Sequence, residues 1–165
     1  MSSILQDFTV AENTTCIAIS TDGKEIAIIT RVGEVTILNA DTLEQKSSFK
    51  VDARDATGLQ YITPSVLILA SEAISSWDTS SGKKIKTYSA EKLQPAIALS
   101  SNGKELVFGT NESLQRWNLI EDRAIGEYCG VPTQNSIIRY TSDGLLIAIA
   151  TGNKDWGHTK RFPLT

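Results

Sequence analysis

The sequence is poor in the residues that support redox, metal and acid–base chemistry. It contains one histidine, His158, and two cysteines, Cys16 and Cys129, among 165 residues. Two cysteines make neither a disulfide framework nor a four-ligand zinc site, and a Ser-His-Asp triad would have to use His158. The 11 glycines stand singly at turns, so no glycine-rich phosphate loop is present. We therefore expect inert thiols, no catalytic residues, no metal and no cofactor.

Long apolar runs and a positively charged start are also missing. The longest apolar run, 145–150, has six residues, whereas a membrane-spanning helix needs about 20. The first positive charge is Lys24, so the charged beginning of a secretory signal is absent. With 16 Lys and Arg against 19 Asp and Glu, the net charge is -3 and gives no bulk attraction to phosphate or anionic lipid. We expect an intracellular protein, in the cytoplasm or nucleus, with neither membrane nor nucleic acid as a partner.

A repeat with a period of about 40 residues is the strongest signal in the sequence. The turn Thr-Asp-Gly-Lys-Glu at 21–25 recurs as Ser-Asn-Gly-Lys-Glu at 101–105, two periods later, and as Ser-Asp-Gly at 142–144, one period after that. Two other landmarks recur once in every period: Leu38-Asn39, Trp77-Asp78 and Trp117-Asn118, and the aromatic residues Phe49, Tyr88 and Tyr128. Three landmarks with one period indicate an array of similar structural units.

Each unit has the pattern of four short antiparallel strands. In the first unit, 17–20 and 25–29 flank an Asp22-Gly23 turn, in which glycine supplies the positive φ that tight hairpins require. The remaining strands of this unit are 35–38 and 46–50, and the second unit has a shorter first turn at Thr63-Pro64. No stretch shows a sustained apolar stripe at helical spacing, and β-branched residues fill the apolar runs. The second strand is apolar throughout, which predicts cover on both faces.

This arrangement resembles the WD-repeat β-propeller family, in which each blade is a sheet of four antiparallel strands. The resemblance rests on the period, on Trp77-Asp78 and Trp117-Asn118 at the ends of third strands, and on the Asp-Gly or Asn-Gly turns. The Gly-His that precedes the family's first strand is absent, and its Asp before the third strand is replaced, so the repeats are divergent. The resemblance implies an all-β fold of propeller blades and a role as a scaffold for protein complexes.

The predicted organisation leaves the propeller incomplete. We predict a leader at 1–14, blades at about 15–54, 55–93 and 94–133, a partial blade of two strands at 134–151, and an irregular tail at 152–165. A blade face that leaves about 400 Å² of apolar surface in contact with water loses roughly 10 kcal/mol of hydrophobic stabilisation. This loss is comparable to the net free energy of unfolding of a typical domain. The chain is therefore expected to be part of a longer propeller, to be completed by another chain, or to join a second copy in a ring of about eight blades.

The turns before first and third strands form the predicted contact surface for other proteins. Its residues are Asn13, Arg31, Glu34, Asp55, Glu72, Gln94, Asn111, Glu112, Gln134 and Asn135. Within this set, Glu34, Glu72 and Glu112 recur in the turn before the third strand. They are either solvated turn residues or a ring of negative charge for a cation or a basic peptide. The alternative function is accordingly a propeller-type enzyme, or a metal or small-ligand binder, that uses these acidic residues.

Two other features of the repeat have structural interpretations. Lys83-Lys84-Ile85-Lys86 is the one local basic run, and it falls on an outermost strand. Strand alternation predicts Lys84 and Lys86 on the same side, where they protect an exposed edge or contact an acidic partner. Because Trp77 and Trp117 keep the period of the repeat, we predict that they pack between blades rather than stack on a ligand.

Overall fold

A computed structural model describes residues 12–89, 96–109, 113–129, 136–141, 146–150 and 159–162. Every regular element among these residues is a β-strand, and the strands form four antiparallel sheets that follow one another along the chain. The all-β class predicted from the sequence is confirmed. No helix in these ranges is long and apolar enough to cross a membrane.

Three of the sheets contain four strands, each paired with the next along the chain. The first sheet consists of β1 (Thr14–Ile19), β2 (Glu25–Thr30), β3 (Glu34–Asn39) and β4 (Gln45–Lys50). The second consists of β5 (Gly58–Thr63), β6 (Val66–Ala70), β7 (Ile74–Asp78) and β8 (Lys84–Ser89). The third consists of β9 (Ile97–Leu99), β10 (Glu105–Gly109), β11 (Ser113–Asn118) and β12 (Arg123–Cys129).

The fourth sheet has three strands among the described residues, one more than the sequence predicts. They are β13 (Ser136–Tyr140), β14 (Leu146–Ala150) and β15 (Thr159–Phe162). The strand β15 falls within 152–165, which the sequence predicts to be irregular. Its short polar sequence gives no alternating pattern, and backbone pairing with β14 is what defines it as a strand.

The turns between first and second strands explain the Asp-Gly and Asn-Gly landmarks. Ser20 Oγ donates to Asp22 Oδ1 at 2.7 Å and accepts from the Glu25 backbone N at 2.8 Å. The third sheet repeats these bonds with Ser100 and Asn102, at 2.8 and 2.9 Å. In the second sheet Thr63 pairs directly with Val66, so the shorter turn predicted there is confirmed.

A β-bulge recurs between the third and fourth strands of all three four-stranded sheets. The extra residue on the fourth strand is Lys46, Ile85 or Ile125, so the bulge keeps the period of the repeat. Because a bulge interrupts alternation, Lys84 pairs with Trp77 while Lys86 pairs with Ser76. The prediction that Lys84 and Lys86 share one side is therefore wrong.

The apolar core consists of one cluster between each pair of neighbouring sheets. Leu67 and Leu69 of β6 belong to the cluster shared with the first sheet, and Ile68 and Ala70 belong to the cluster shared with the third. The strand β10 likewise directs Leu106 and Phe108 toward the second sheet and Val107 toward the fourth. These alternating contacts confirm cover on both faces for the second strands β6 and β10.

Candidate functional site

Three of the predicted contact residues, Asn13, Arg31 and Asp55, meet at one exposed corner of the molecule. The backbone N of Arg31 donates to the Asn13 carbonyl at 2.8 Å, and the backbone N of Asp55 donates to the Arg31 carbonyl at 3.1 Å. Arg31 Nε lies 2.8 Å from Asp55 Oδ1, with 68% of each side chain exposed. The segment before β1, the β2–β3 turn and the connection after β4 thus converge in what we call the polar corner.

The backbone holds the polar corner in a defined geometry. Asn13 and Asp55 have φ angles of 67° and 49°, in the left-handed region that Asn and Asp tolerate better than most residues. Gly33, at φ 81°, accepts a hydrogen bond from the Val51 backbone N at 2.8 Å. A Cβ at Gly33 would lie 2.5 Å from the carbonyl oxygens of Val51 and Ala53. Only glycine permits the β2–β3 turn to approach the 51–56 connection this closely.

The other predicted contact residues do not join the corner. Glu34 is exposed at the start of β3, opposite Lys50 in the register, and Glu72 is exposed in the β6–β7 turn. Five predicted residues lie outside the described ranges: Gln94, Asn111, Glu112, Gln134 and Asn135. Among the residues that are described, no group of three or more His, Cys, Asp or Glu side chains could hold a metal ion.

The innermost strands β1, β5, β9 and β13 together line a cavity of about 600 Å³. Most of its lining residues are aliphatic, but polar atoms make up the larger part of the surface that faces the cavity, and Gln60, Arg139 and Tyr140 are among the polar members. The Cys16 thiol also lies there, 3.3 Å from the Ala56 carbonyl oxygen, and burial raises its pKa. No pattern in the sequence selects these cavity residues, because only the stacking of the sheets brings the four strands together.

Polar groups with buried or partly buried side chains lie at the junctions of the first sheet with the second and of the third with the fourth. Tyr61 donates to Glu25 Oε2 at 3.3 Å, and burial, reinforced by the Glu25 charge, raises the pKa of Tyr61. In the third sheet Glu105 forms a two-bond pair with Arg116, at 2.6 and 3.1 Å. Burial, reinforced by the Glu105 charge, likewise raises the pKa of Tyr140 in the fourth sheet. These groups recur after two periods of the repeat rather than one, a spacing that is visible in the sequence.

Trp77 and Trp117 pack between sheets, as predicted. Trp77 stacks on Phe49 of the first sheet with ring centroids 6.5 Å apart. Trp117 meets Tyr88 of the second sheet edge-on at 5.7 Å. At each of these junctions the third-strand landmark of one sheet contacts the fourth-strand aromatic of the preceding sheet.

Lysines of the basic run lie over these aromatic rings. Lys84 Nζ is 5.1 Å from the Trp77 centroid, and Lys86 Nζ is 5.3 and 5.0 Å from the Tyr88 and Trp117 centroids. Lys86 also contacts the carboxylate of Asp122, which lowers the pKa of that carboxyl group. Trp117 Nε1 donates to the same carboxylate at 3.3 Å. Lys86 of the basic run therefore contributes to the junction between the second and third sheets.

The residue after each tryptophan caps the next turn. Asp78 Oδ1 accepts from the Ser80 hydroxyl, the Ser81 hydroxyl and the Ser81 backbone N, each at 2.7 Å, and from the Ser80 backbone N at 3.2 Å. These bonds lower the pKa of Asp78 to about 2. Asn118 Oδ1 accepts from the backbone N of Ile120 and of Glu121, both at 2.9 Å. Asp78 and Asn118 thus fix the turns that lead from the third strand to the fourth strand in their sheets.

Neither a protein-family model nor a curated protein sequence matches the chain. Solved structures do match its fold. Hydrazine synthase of Kuenenia stuttgartiensis superposes with a TM-score of 0.78 at 16% identity, over 98% of this chain and 49% of that one. The β-propeller domain of Cps50 (Swd1) from Myceliophteria thermophila superposes with a TM-score of 0.70 at 13% identity, over 83% of this chain and 49% of that one.

The fold is that of β-propeller blades. Each four-stranded sheet is one blade, and the fourth sheet is a further blade with three described strands. At these identities the similarity shows the fold alone. The chain spans about half the length of both solved chains, which is consistent with the incomplete propeller predicted from the period.

Proposed function

We propose that this chain is a non-catalytic protein-interaction scaffold, a WD-repeat-like propeller segment that helps assemble a multiprotein complex. The observation that carries the proposal is the polar corner. It places an exposed guanidinium and an exposed carboxylate on backbone segments that are fixed by hydrogen bonds to one another. Charged groups held in one arrangement lose little conformational entropy when a partner binds, which favours recognition.

The geometry of the blades supports the narrower WD-repeat-like description. Trp77 and Trp117 end third strands and pack against the preceding blade, and the Asp or Asn that follows each tryptophan caps a turn. These are the landmarks on which the resemblance to the WD-repeat family rests. The low cysteine content supports an intracellular location, which we propose together with the scaffold role.

The proposal is tested by capturing partners on the polar corner. The full chain, Arg31→Ala with Asp55→Ala, and a control with Asp52→Ala and Arg54→Ala would each be used as bait after mild crosslinking in the native source. The control removes two exposed charges from the same connection. We expect a partner that the full chain and the control recover in equal amounts and that the corner variant recovers at least about tenfold less well.

The outcomes of this experiment are distinct. Recovery of no partner by the full chain would count against a scaffold role. Equal recovery by all three baits would retain the scaffold but remove the polar corner from the contact surface. Circular dichroism of the three proteins supplies the folding control, because Arg31 and Asp55 are largely exposed and their removal should leave the sheets intact.

A calorimetric titration with calcium, magnesium and manganese tests the alternative of an acidic ligand site. We expect binding no tighter than millimolar for each ion. Micromolar binding that is lost in Glu34→Gln with Glu72→Gln, but kept in Glu44→Gln, would favour the metal-binding alternative over the scaffold. Glu44 is a suitable control because it is an exposed acidic residue of another turn.

A further inference from the structure

The central cavity is polar because edge strands line it. Among the described strands, β1, β5, β9 and β13 each pair with one neighbour, the second strand of the same sheet. About half of the backbone N–H and C=O groups of such an edge strand point away from its partner, here toward the cavity. These groups explain why polar atoms dominate a surface whose lining residues are mostly aliphatic. The volume of about 600 Å³ lies within the range of roughly 300–1,000 Å³ that is typical of small-molecule sites.

Arg139 gives this cavity a positive charge. Among the described residues that line the cavity, it is the one with a charged side chain. Successive side chains of a strand point to opposite faces, and Ile138 is buried in the cluster between the third and fourth sheets. Arg139 therefore lies on the other face of the fourth sheet, where it is exposed.

The guanidinium of Arg139 retains donors for a ligand. One of its terminal nitrogens donates to the Ile138 carbonyl at 2.8 Å, and within the described part of the chain no carboxylate forms an ion pair with it. The nearby junction between the third and fourth sheets does contain a carboxylate, that of Glu105, but Arg116 already binds it with two bonds. A guanidinium has five N–H donors in a planar fork, which fits an oxyanion with two parallel bonds. An anion in the cavity can therefore bind Arg139 without breaking an internal ion pair.

Gln60 brings a second polar side chain to the cavity from another sheet. Leu59 and Tyr61 pack into the cluster shared with the first sheet, so Gln60, which lies between them on β5, has the opposite direction. The strands β5 and β13 both contact β9, so Gln60 and Arg139 line the cavity on the two sides of the third sheet. The carboxamide of Gln60 can donate to a ligand oxygen and accept from a ligand hydroxyl.

The part of the lining on β1 is apolar and accessible to water. Ile17 and Ile19 line the cavity and are 54% and 65% exposed. A ligand that covers part of these side chains removes apolar surface from water, which favours a ligand with an aliphatic part.

The charge balance favours a carboxylate over a phosphate as the anionic group. A single guanidinium matches the one negative charge of a carboxylate. A phosphate monoester carries a charge of about −1.5 to −2 at neutral pH, and the excess would face the carbonyl oxygens of the edge strands without a cation to compensate it.

We propose that the central cavity binds a small organic monocarboxylate, with its carboxylate on Arg139 and its aliphatic part beside Ile17 and Ile19. This site is separate from the polar corner. A chain that binds no carboxylate but still captures protein partners would overturn the ligand site and leave the proposed scaffold function standing.

NMR spectroscopy of the ¹⁵N-labelled full chain tests the site, with acetate, butyrate and hexanoate as probes and hexan-1-ol as the neutral control. We expect the carboxylates to shift the signals of the Arg139 Nε–H and the Gln60 side-chain amide. Affinity should rise severalfold, at most about fourfold, with each added methylene. Hexan-1-ol should bind at least about tenfold more weakly than hexanoate, because it lacks the charge. Absence of binding, or shifts at Arg54 as large as those at Arg139, would overturn the proposal.

Substitution of the arginine tests the anionic half of the site. Arg139→Gln should weaken hexanoate binding by at least about tenfold. Arg54→Gln removes an exposed arginine that does not line the cavity and should leave binding unchanged. Equal affinities of the two variants would contradict the role of Arg139. Inorganic phosphate that binds the unsubstituted chain as tightly as hexanoate would contradict the choice of a carboxylate.

A second variant tests the aliphatic half and leaves every charge in place. Ile17→Ser should weaken the binding of hexanoate severalfold and leave that of acetate unchanged, because acetate has no chain to lie beside residue 17. Ile120→Ser, at a residue 73% exposed in the β11–β12 turn, is the matched control. Circular dichroism checks that each variant is folded. A ratio of hexanoate to acetate affinity that is the same in Ile17→Ser and in the control would overturn the proposed contact.

Discussion

The two tryptophan junctions are built on the same landmarks but differ in polarity. Trp77 is 8% exposed in the apolar cluster between the first and second sheets, and its Nε1 donates to Ser75 within its own strand. Trp117 is more exposed, and its neighbours include the Lys86–Asp122 ion pair between the second and third sheets. One position of the repeat thus supports an apolar junction and a charged one.

The difference comes from the side on which each lysine lies. Lys84 belongs to the same sheet as Trp77 and covers its ring without joining another sheet. Lys86, on the opposite face because of the bulge, reaches Trp117 and Asp122 of the next sheet. Replacing Trp77 or Trp117 with alanine should therefore lower the free energy of unfolding by different amounts. Replacing Lys84 or Lys86 should lower it by amounts that depend differently on salt.

The largest expected effect is that of Trp77→Ala. It leaves a cavity in the cluster between the first and second sheets and should lower the free energy of unfolding by about 3–5 kcal/mol. Urea denaturation followed by circular dichroism measures the loss. Trp77→Phe, which keeps an aromatic ring against Phe49, is the control and should cost less than half as much. Equal losses for the two variants would show that ring packing does not determine this junction.

Trp117→Ala should cost less, about 2 kcal/mol, because its side chain is only partly buried. The same denaturation experiment applies. A double-mutant cycle with Lys86→Met should show coupling, since the ammonium lies over the ring. A loss as large as that for Trp77→Ala would remove the distinction between the two junctions.

Lys86→Met should lower the free energy of unfolding by about 1 kcal/mol, and Lys84→Met by about 0.5 kcal/mol. Lys86 loses a partly exposed ion pair as well as contacts with two rings, whereas Lys84 loses contact with one. Salt should therefore reduce the cost of Lys86→Met more than that of Lys84→Met, as measured by urea denaturation at low and high ionic strength. Identical salt dependence would mean that the Asp122 pair contributes nothing measurable.

The smallest expected effect is a pH dependence at the turn after Trp77. Hydrogen bonds lower the pKa of Asp78 from 3.8 to about 2, so the contribution of its carboxylate to stability is present above 3.8 and is lost as the pH falls toward 2. Asp78→Asn should remove this dependence, measured as urea midpoints from about pH 5 to about pH 3. The reciprocal Asn118→Asp should introduce one after Trp117. An unchanged pH profile in Asp78→Asn would exclude this carboxylate as its source.

The period of the repeat is sufficient to predict the four-stranded sheets and the packing of both tryptophans. These features depend on local pattern, because apolar second strands and Gly turns specify hairpins wherever they occur. The opposite directions of Lys84 and Lys86 are not predictable from alternation, since the bulge at Ile85 depends on pairing with β7. The strand β15 likewise depends on its pairing with β14.

The sequence predicts the individual residues of the candidate site but not that they lie together. Asn13, Arg31 and Asp55 are identified separately from their places before first and third strands. Their convergence requires the 51–56 connection to pack on Gly33, and that contact joins segments distant in sequence. The different exposure of Ile17 (54%) and Ile97 (7%) also requires the structure, because the two residues occupy equivalent positions of the repeat.

The placement of one apolar cluster between each pair of sheets has a consequence for how the protein opens. Stability is shared among separate junctions that each involve two neighbours, as in other repeat proteins. The strands β6 and β10 are held from both sides, so their amide hydrogens should exchange with solvent last. Loss of one junction would release the sheet on one side of it and leave the next junction intact, so the chain would open from its ends toward its middle.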